Sequence, residues 1–345
     1  MTPLLTEYVG EKGAMFRLAL KTSVLTVLTL GFYRFWMKTR LRRYYWSAIR
    51  PGGAPLEYTG QPLEKLLGFL VAVVVMAFYI GVVNLILMFF SFALFQGNVT
   101  AYALSFVGVM PIIFFAQYRA RRYILARTRW RGIRFGLEPG AWGYAWRAAL
   151  YWVLAIVTLG LLYPLKAFRL EKYLTDRTHF GSMTFHQGGR WTMLYGPMKH
   201  ALIAAAILGA SIGLALLTEN EAWLALSVLA GPWASFGGAY WRANSWRVLA
   251  DHKELGALRF RSTPRAGRVL GIWLLGGLLI YLCILALIFA VVLVVFGLVA
   301  ASASTETLEL LNNLEDNLGT VPAWALTVAG IVVYFSFFLL GSVLT

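Results

Sequence analysis

Residues 66–118 read LLGFLVAVVVMAFYIGVVNLILMFFSFALFQGNVTAYALSFVGVMPIIFFAQY, without one Asp, Glu, Lys or Arg. A helix needs about 20 apolar residues to cross the hydrocarbon core of a bilayer. The run is therefore long enough for two crossings, with Gln96-Gly97-Asn98 as the turn between them. Further charge-free runs cover 269–305 and 317–345, and shorter ones cover 148–165, 200–218 and 222–241. Across the chain only 13% of residues are charged and 59% are hydrophobic, where a soluble domain carries roughly 25% charged residues. That composition cannot cover a globule in water, and lipid must be the solvent for much of it.

The net charge of +16 would suit nucleic acid as a partner. The positions of the bases exclude that reading, because they alternate with apolar runs and aromatic residues, as headgroup attraction requires. All 31 Lys and Arg residues precede Val269, and 28 of them fall in four segments, 34–65, 119–147, 166–199 and 242–268. Bases next to membrane segments stay cytoplasmic, so all four segments belong on the cytoplasmic side of the membrane. The connections holding Glu219 and Glu221, and Glu306, Glu309, Glu315 and Asp316, belong outside. Two crossings separate the first basic segment from the second, and two separate the third from the fourth. Between the second and third lies only 148–165, marginal in length and broken by Thr158-Leu159-Gly160 and Pro164. It reads as re-entrant or interfacial, as does the shorter stretch 22–33. The expected fold is an all-α polytopic membrane protein with six full crossings and two partial elements; the alternative is eight crossings with an inverted second half. No signal peptide is expected from the polar start.

The basic segments repeat. Thr29-Leu30-Gly31 recurs as Thr158-Leu159-Gly160, with Arg40 on Arg169, Tyr44 on Tyr173 and Gly52 on Gly181, while Arg40, Arg42, Arg43 and Tyr44 fall on Arg119, Arg121, Arg122 and Tyr123. Each unit is a basic, aromatic helix suited to the interface, then a glycine turn, then an alternating strand: Leu56/Tyr58, Ile133/Phe135, Met183/Phe185 and Leu258/Phe260. Four such strands can pair into a small cytoplasmic sheet. The organisation expected is one membrane half over 1–147, a second over 148–268, and a C-terminal hairpin over 269–345.

The Thr29–Tyr45 stretch, the Leu56-Glu57-Tyr58-Thr59-Gly60 that follows and the later Thr158–Pro164 resemble the YjgN-type bacterial inner-membrane family, classed as a domain of unknown function. The likeness covers about residues 15 to 275. Family members usually end in another basic copy of the motif, which here has become the apolar Leu274-Leu275-Gly276-Gly277 and onward. The resemblance implies a membrane location and implies no catalytic residue.

Chemistry-bearing motifs are sparse. His179, His186, His200 and His252 show no metal-ligand spacing, the single Cys283 cannot form an internal disulfide, and no nucleophile or phosphate-binding fingerprint appears. No enzyme activity, metal or cofactor is expected. Asn84 and Gln117 are the polar residues at membrane depth, with Pro111 and Pro232 as helix breaks; they suit a solute path or ordinary interhelical hydrogen bonding. The basic–aromatic clusters are the leading feature: Arg40, Arg42, Arg43, Arg121, Arg122, Arg169 and Lys172 beside Trp36, Tyr44, Tyr45, Tyr123 and Tyr173. They serve as a topology signal and aromatic belt, or as a site for an anionic phospholipid headgroup. Membrane lipids are thus the expected partners, with a transporter or channel, or a scaffold for another membrane protein or a second copy, as the alternatives.

Overall fold

A computed structural model of the chain describes residues 4–95 and 100–301. The Gln96-Gly97-Asn98 turn, the acidic connection Glu306–Asp316 and the apolar run 317–345 lie outside the described residues. In chain order the first elements are β1 (Thr6–Tyr8), α1 (Lys12–Leu28), α2 (Arg34–Ala48), β2 (Ile49–Pro51), β3 (Leu56–Tyr58), α3 (Pro62–Phe95), α4 (Thr100–Ala126), β4 (Thr128–Trp130) and β5 (Ile133–Leu137). They are followed by α5 (Ala141–Val157), α6 (Tyr163–Thr175), β6 (Thr178–Phe180), β7 (Met183–Gln187), α7 (Tyr195–Thr218), α8 (Ser227–Asp251), β8 (Lys253–Leu255), β9 (Leu258–Arg259) and α9 (Ala266–Ala301).

The chain divides into two compact units. One takes the residues up to Gly10 together with Arg42–Leu270, and the other takes Glu11–Leu41 and the chain from Gly271 onward. These units cut across the sequence halves 1–147 and 148–268, which are related by pattern.

The first unit is built on a seven-stranded antiparallel sheet in the order β3-β4-β5-β6-β7-β8-β9, with β1 paired to β2 separately. The expectation of an all-α chain with a small β element is corrected here: the sheet links every basic segment. Each strand pairs with its neighbours in sequence, so the α3–α4, α5–α6 and α7–α8 hairpins each leave one strand and return to the next. Directly opposed residues share a face. The register therefore collects Leu56, Trp130, Ile133, Phe135, Phe180, Met183, Phe185, Leu255 and Leu258 on one face. Rings run across it, Trp130–Phe180 at 5.7 Å, Phe180–Phe135 at 4.7 Å, Phe135–Phe185 at 6.4 Å and Phe185–Phe260 at 5.8 Å between centroids. The other face carries Glu57, Arg129, Arg134, His179, Thr184, His186, Glu254 and Arg259. At Gly136 on that face a Cβ would run into the imidazole of the opposing His179, which would have to turn aside.

The helices pack through two clusters, of which the larger includes a strand residue. Phe114 and Tyr118 of α4, Leu137 of β5, Tyr144 and Ala145 of α5 and Leu174 of α6 form the larger. Fully buried Ala145 and Ala148 let α5 approach its neighbours closely. Phe168, Leu194 and Leu249 form the smaller cluster.

The two Thr-Leu-Gly motifs are hinges between helices. Leu30 and Gly31 take φ of 50° and 92°, and Leu159 and Gly160 take 50° and 86°, the left-handed region that reverses the chain after a helix. The Gly31 N–H donates to the Thr26 carbonyl at 2.7 Å, and that of Gly160 to Ala155 at 2.6 Å. Thr29 Oγ1 donates to the Leu25 carbonyl at 2.7 Å and accepts from the Tyr33 N–H at 2.9 Å. Thr158 Oγ1 does the same with Leu154 at 2.7 Å and Leu162 at 3.1 Å. Each threonine thus clasps the end of one helix to the start of the next. Stretches 22–33 and 148–165 are accordingly neither straight spans nor loops, but the turned ends of the α1–α2 and α5–α6 pairs. In the second unit Ser23 and Thr26 also point their hydroxyls at the Met37 sulfur, at 3.8 and 3.7 Å.

Candidate functional site

The basic residues gather where helices meet the sheet, because α4, α6 and α8 each run into a strand within two residues of their last turn. Arg42 lies with its guanidinium carbon 5.7 Å from the Trp46 ring and 5.4 Å from the Tyr58 ring, and Lys65 Nζ is 4.8 Å from that same tyrosine. Arg43 is exposed and donates to the Gly60 carbonyl at 3.0 Å. Arg40, in the other unit, is exposed and 5.7 Å from the Tyr33 ring. Arg122 and Arg169 are exposed on α4 and α6.

Two of the candidate bases are engaged inside the protein. Arg121 pairs with Glu171 at 3.7 Å, and Lys253 of β8 reaches the same carboxylate at 2.5 Å. Glu171 therefore ties α4 and β8 to α6. Burial pushes its carboxyl up, but the Lys253 ammonium and the Arg121 guanidinium outweigh that and hold it below the usual carboxylate range. Lys172 donates to the Gln187 carbonyl at 2.7 Å and pairs with Asp176 at 3.0 Å. Asp176 in turn accepts from the Gln187 N–H at 2.8 Å and lies 3.6 Å from His186. These groups fasten α6 to β7.

Sequence reasoning passed over a further group. Tyr118, Tyr144 and Tyr173 form a ring cluster with centroids 5.5, 6.0 and 6.1 Å apart. Two guanidinium carbons lie against Tyr173, that of Arg177 at 3.8 Å and that of Arg147 at 4.9 Å. The two arginines come from different basic segments, and only the packing of α5 on α6 brings them together. The signal in the sequence was the four-residue spacing of Tyr173 and Arg177, one helical turn. Lys166 was passed over too. It is buried in the first turn of α6, with Nζ 3.4 Å from the Trp152 ring and 4.0 Å from the Tyr163 ring.

Of the two polar candidates at membrane depth, only one has a described side chain. Gln117 is exposed on α4. Asn84 is placed in α3, and its side chain lies outside the described residues. His200 of α7 is enclosed by Trp233, Phe236 and Tyr240 of α8, at 5.9, 4.9 and 4.5 Å. Among the described residues no group of three or more His, Cys, Asp or Glu side chains gathers as a metal site would require.

Two helical stretches among the described residues are long and apolar enough to cross a membrane, Pro62–Val83 and Trp191–Thr218, and Ala266–Leu279 is a shorter apolar one. Along α3 the side chains of Val74, Phe78, Leu85 and Phe89 are each 69–74% exposed. Exposed apolar surface of that kind on a helix suits a membrane or partner-facing position. Neither the comparison with curated proteins nor that with solved structures returns a match. A family model does match, over residues 3–285, and the chain belongs to that family, described as bacterial protein of unknown function (DUF898).

Proposed function

We propose that the protein is a non-enzymatic, multi-pass protein of the bacterial inner membrane whose sheet and adjoining helix ends form a cytoplasmic platform for anionic lipid headgroups. The single sheet carries this reading. Strands from all four basic segments pair in one ladder, so those segments share one side of the bilayer. An inverted second half would put β5 and β6 on opposite sides, and their pairing speaks against it. The α3–α4 and α7–α8 hairpins then cross and return, and α5–α6, with arms of 17 and 13 residues, dips in from the same side. Arginine beside aromatic rings at a helix end is the chemistry of the interfacial layer, where guanidinium meets phosphate and ring meets acyl chain.

The test is lipid retention. The full-length protein is purified in mild detergent from membranes containing phosphatidylglycerol and phosphatidylethanolamine, and the lipids that stay bound are quantified. The wild type is expected to be enriched in phosphatidylglycerol over the starting membrane. Arg42→Gln with Arg43→Gln is expected to lose part of that enrichment. Equal lipid ratios in protein and membrane would overturn the reading.

A further inference from the structure

Two hairpins of the same sheet handle one motif differently. In α3–α4, Tyr123 and Arg127 stand one turn apart at the end of α4, and Glu64, the third residue of α3, answers both. Its carboxylate accepts from the Tyr123 hydroxyl at 2.9 Å and pairs with Arg127 at 2.9 Å. In α5–α6, Tyr173 and Arg177 keep the same spacing at the end of α6, and the third residue of α5 is Gly143. No carboxylate stands there. A Cβ on Gly143 would lie 2.6 Å from the Tyr173 hydroxyl oxygen and 3.1 Å from Arg147 Nη1, so the glycine lets those groups close onto the start of α5, where the Tyr173 hydroxyl donates to the Gly140 carbonyl at 2.9 Å in place of a carboxylate. The cationic side is doubled, since Arg147 joins Arg177 on the Tyr173 ring. Among the described residues neither arginine is in an ion pair, and Glu138, whose field reaches Tyr118 nearby, pairs with neither. Arg147 spends one donor on the Gly143 carbonyl at 2.9 Å. A guanidinium has five N–H donors, so most remain.

We infer that Arg147 and Arg177, set on Tyr173 beside Gly143, form a binding site for a phosphate group, taking from outside the negative charge that Glu64 supplies in the neighbouring hairpin. Two guanidinium groups against one ring, with no carboxylate paired to either, offer a phosphate several charge-assisted hydrogen bonds. The group comes from a phospholipid headgroup if the platform reading above is right, and from a free phosphate if it is not.

The test measures thermal unfolding of the full-length protein in uncharged detergent, with phosphatidylglycerol, phosphatidylcholine or inorganic phosphate added. Phosphatidylglycerol is expected to raise the midpoint of the wild type by about 4 °C, and phosphatidylcholine by less. Arg147→Gln with Arg177→Gln is expected to lose most of the shift. Gly143→Glu, which installs the carboxylate of the other hairpin, is expected to lose it as well; if that variant does not fold, the arginine pair decides. A shift lost in Arg42→Gln/Arg43→Gln but kept in Arg147→Gln/Arg177→Gln would overturn this site and leave the platform standing. A shift with inorganic phosphate alone, lost with Arg147 and Arg177, would keep the site and remove the lipid. An equal response of the wild type and the Arg147→Gln/Arg177→Gln variant to every addition would overturn the site.

Discussion

Glu171 holds two cations, one from α4 and one from β8, and its side chain is only 16% exposed. Removing one partner of such a buried group leaves the others desolvated and unanswered, which costs about 3 kcal/mol. Glu171→Gln is therefore expected to lower the unfolding free energy by about that amount in a denaturant titration in detergent. The carboxyl is held lower in the folded protein than in the unfolded chain, so its ionised form favours folding. That contribution is fully present above the ordinary carboxylate value of 4.5 and is lost as pH falls through the lowered folded value. The wild type should lose stability on acidification below about 4.5, and the difference between it and Glu171→Gln should shrink across the same window. None of this was legible in the sequence. Arg121, Glu171 and Lys253 lie in three different basic segments, and no spacing rule joins them; Arg147 and Arg177 were missed for the same reason. By contrast, Arg42 beside Trp46 is a one-turn helical contact of the kind that spacing alone can suggest.

The Thr-Leu-Gly hinge is the element that repeats most closely. Its threonine makes one bond back and accepts one forward, so Thr158→Val, which keeps the shape and deletes both, is expected to destabilise the α5–α6 pair by about 1–2 kcal/mol. Hydrogen exchange at the Leu162 amide should accelerate, because that N–H loses its acceptor; unchanged protection would show that the clasp contributes nothing. The sequence marked this motif as a break in an apolar run, and the glycine justified that. The clasping role of the threonine was not readable, since Ser and Thr bond locally in many conformations. The strands divide in a similar way. Alternation found β3, β5, β7 and β9, one arm of each hairpin. The opposite arms β4, β6 and β8 have three residues each and start directly after a helix, too short for a period of two to register. Their partners, not their own sequences, make them strands.

At the scale of the whole molecule the ladder from β3 to β9 joins strands from all four basic segments. Ser47, just before β2, and Ser182, in the turn between β6 and β7, are both exposed. Ser47→Cys and Ser182→Cys, each in a Cys283→Ala background, are expected to escape a membrane-impermeant thiol reagent in intact cells and to react once the membrane is opened. Reaction of Ser182→Cys alone from outside would place the two halves on opposite sides and end the platform reading. Charge had pointed to one side for all four basic segments, while counting apolar runs had left an inverted arrangement open; pairing of β5 with β6 is a contact between distant residues that neither count contains. The order of that ladder also has a consequence for how the protein is made. Each strand pairs with the one translated just before it, across either a short turn or a helical hairpin. The sheet can therefore grow one strand at a time as the chain is made, with no strand waiting for a partner still in the ribosome. A nascent chain halted after β5 would already own three joined strands, and every later hairpin would be measured against that edge before the next one is threaded.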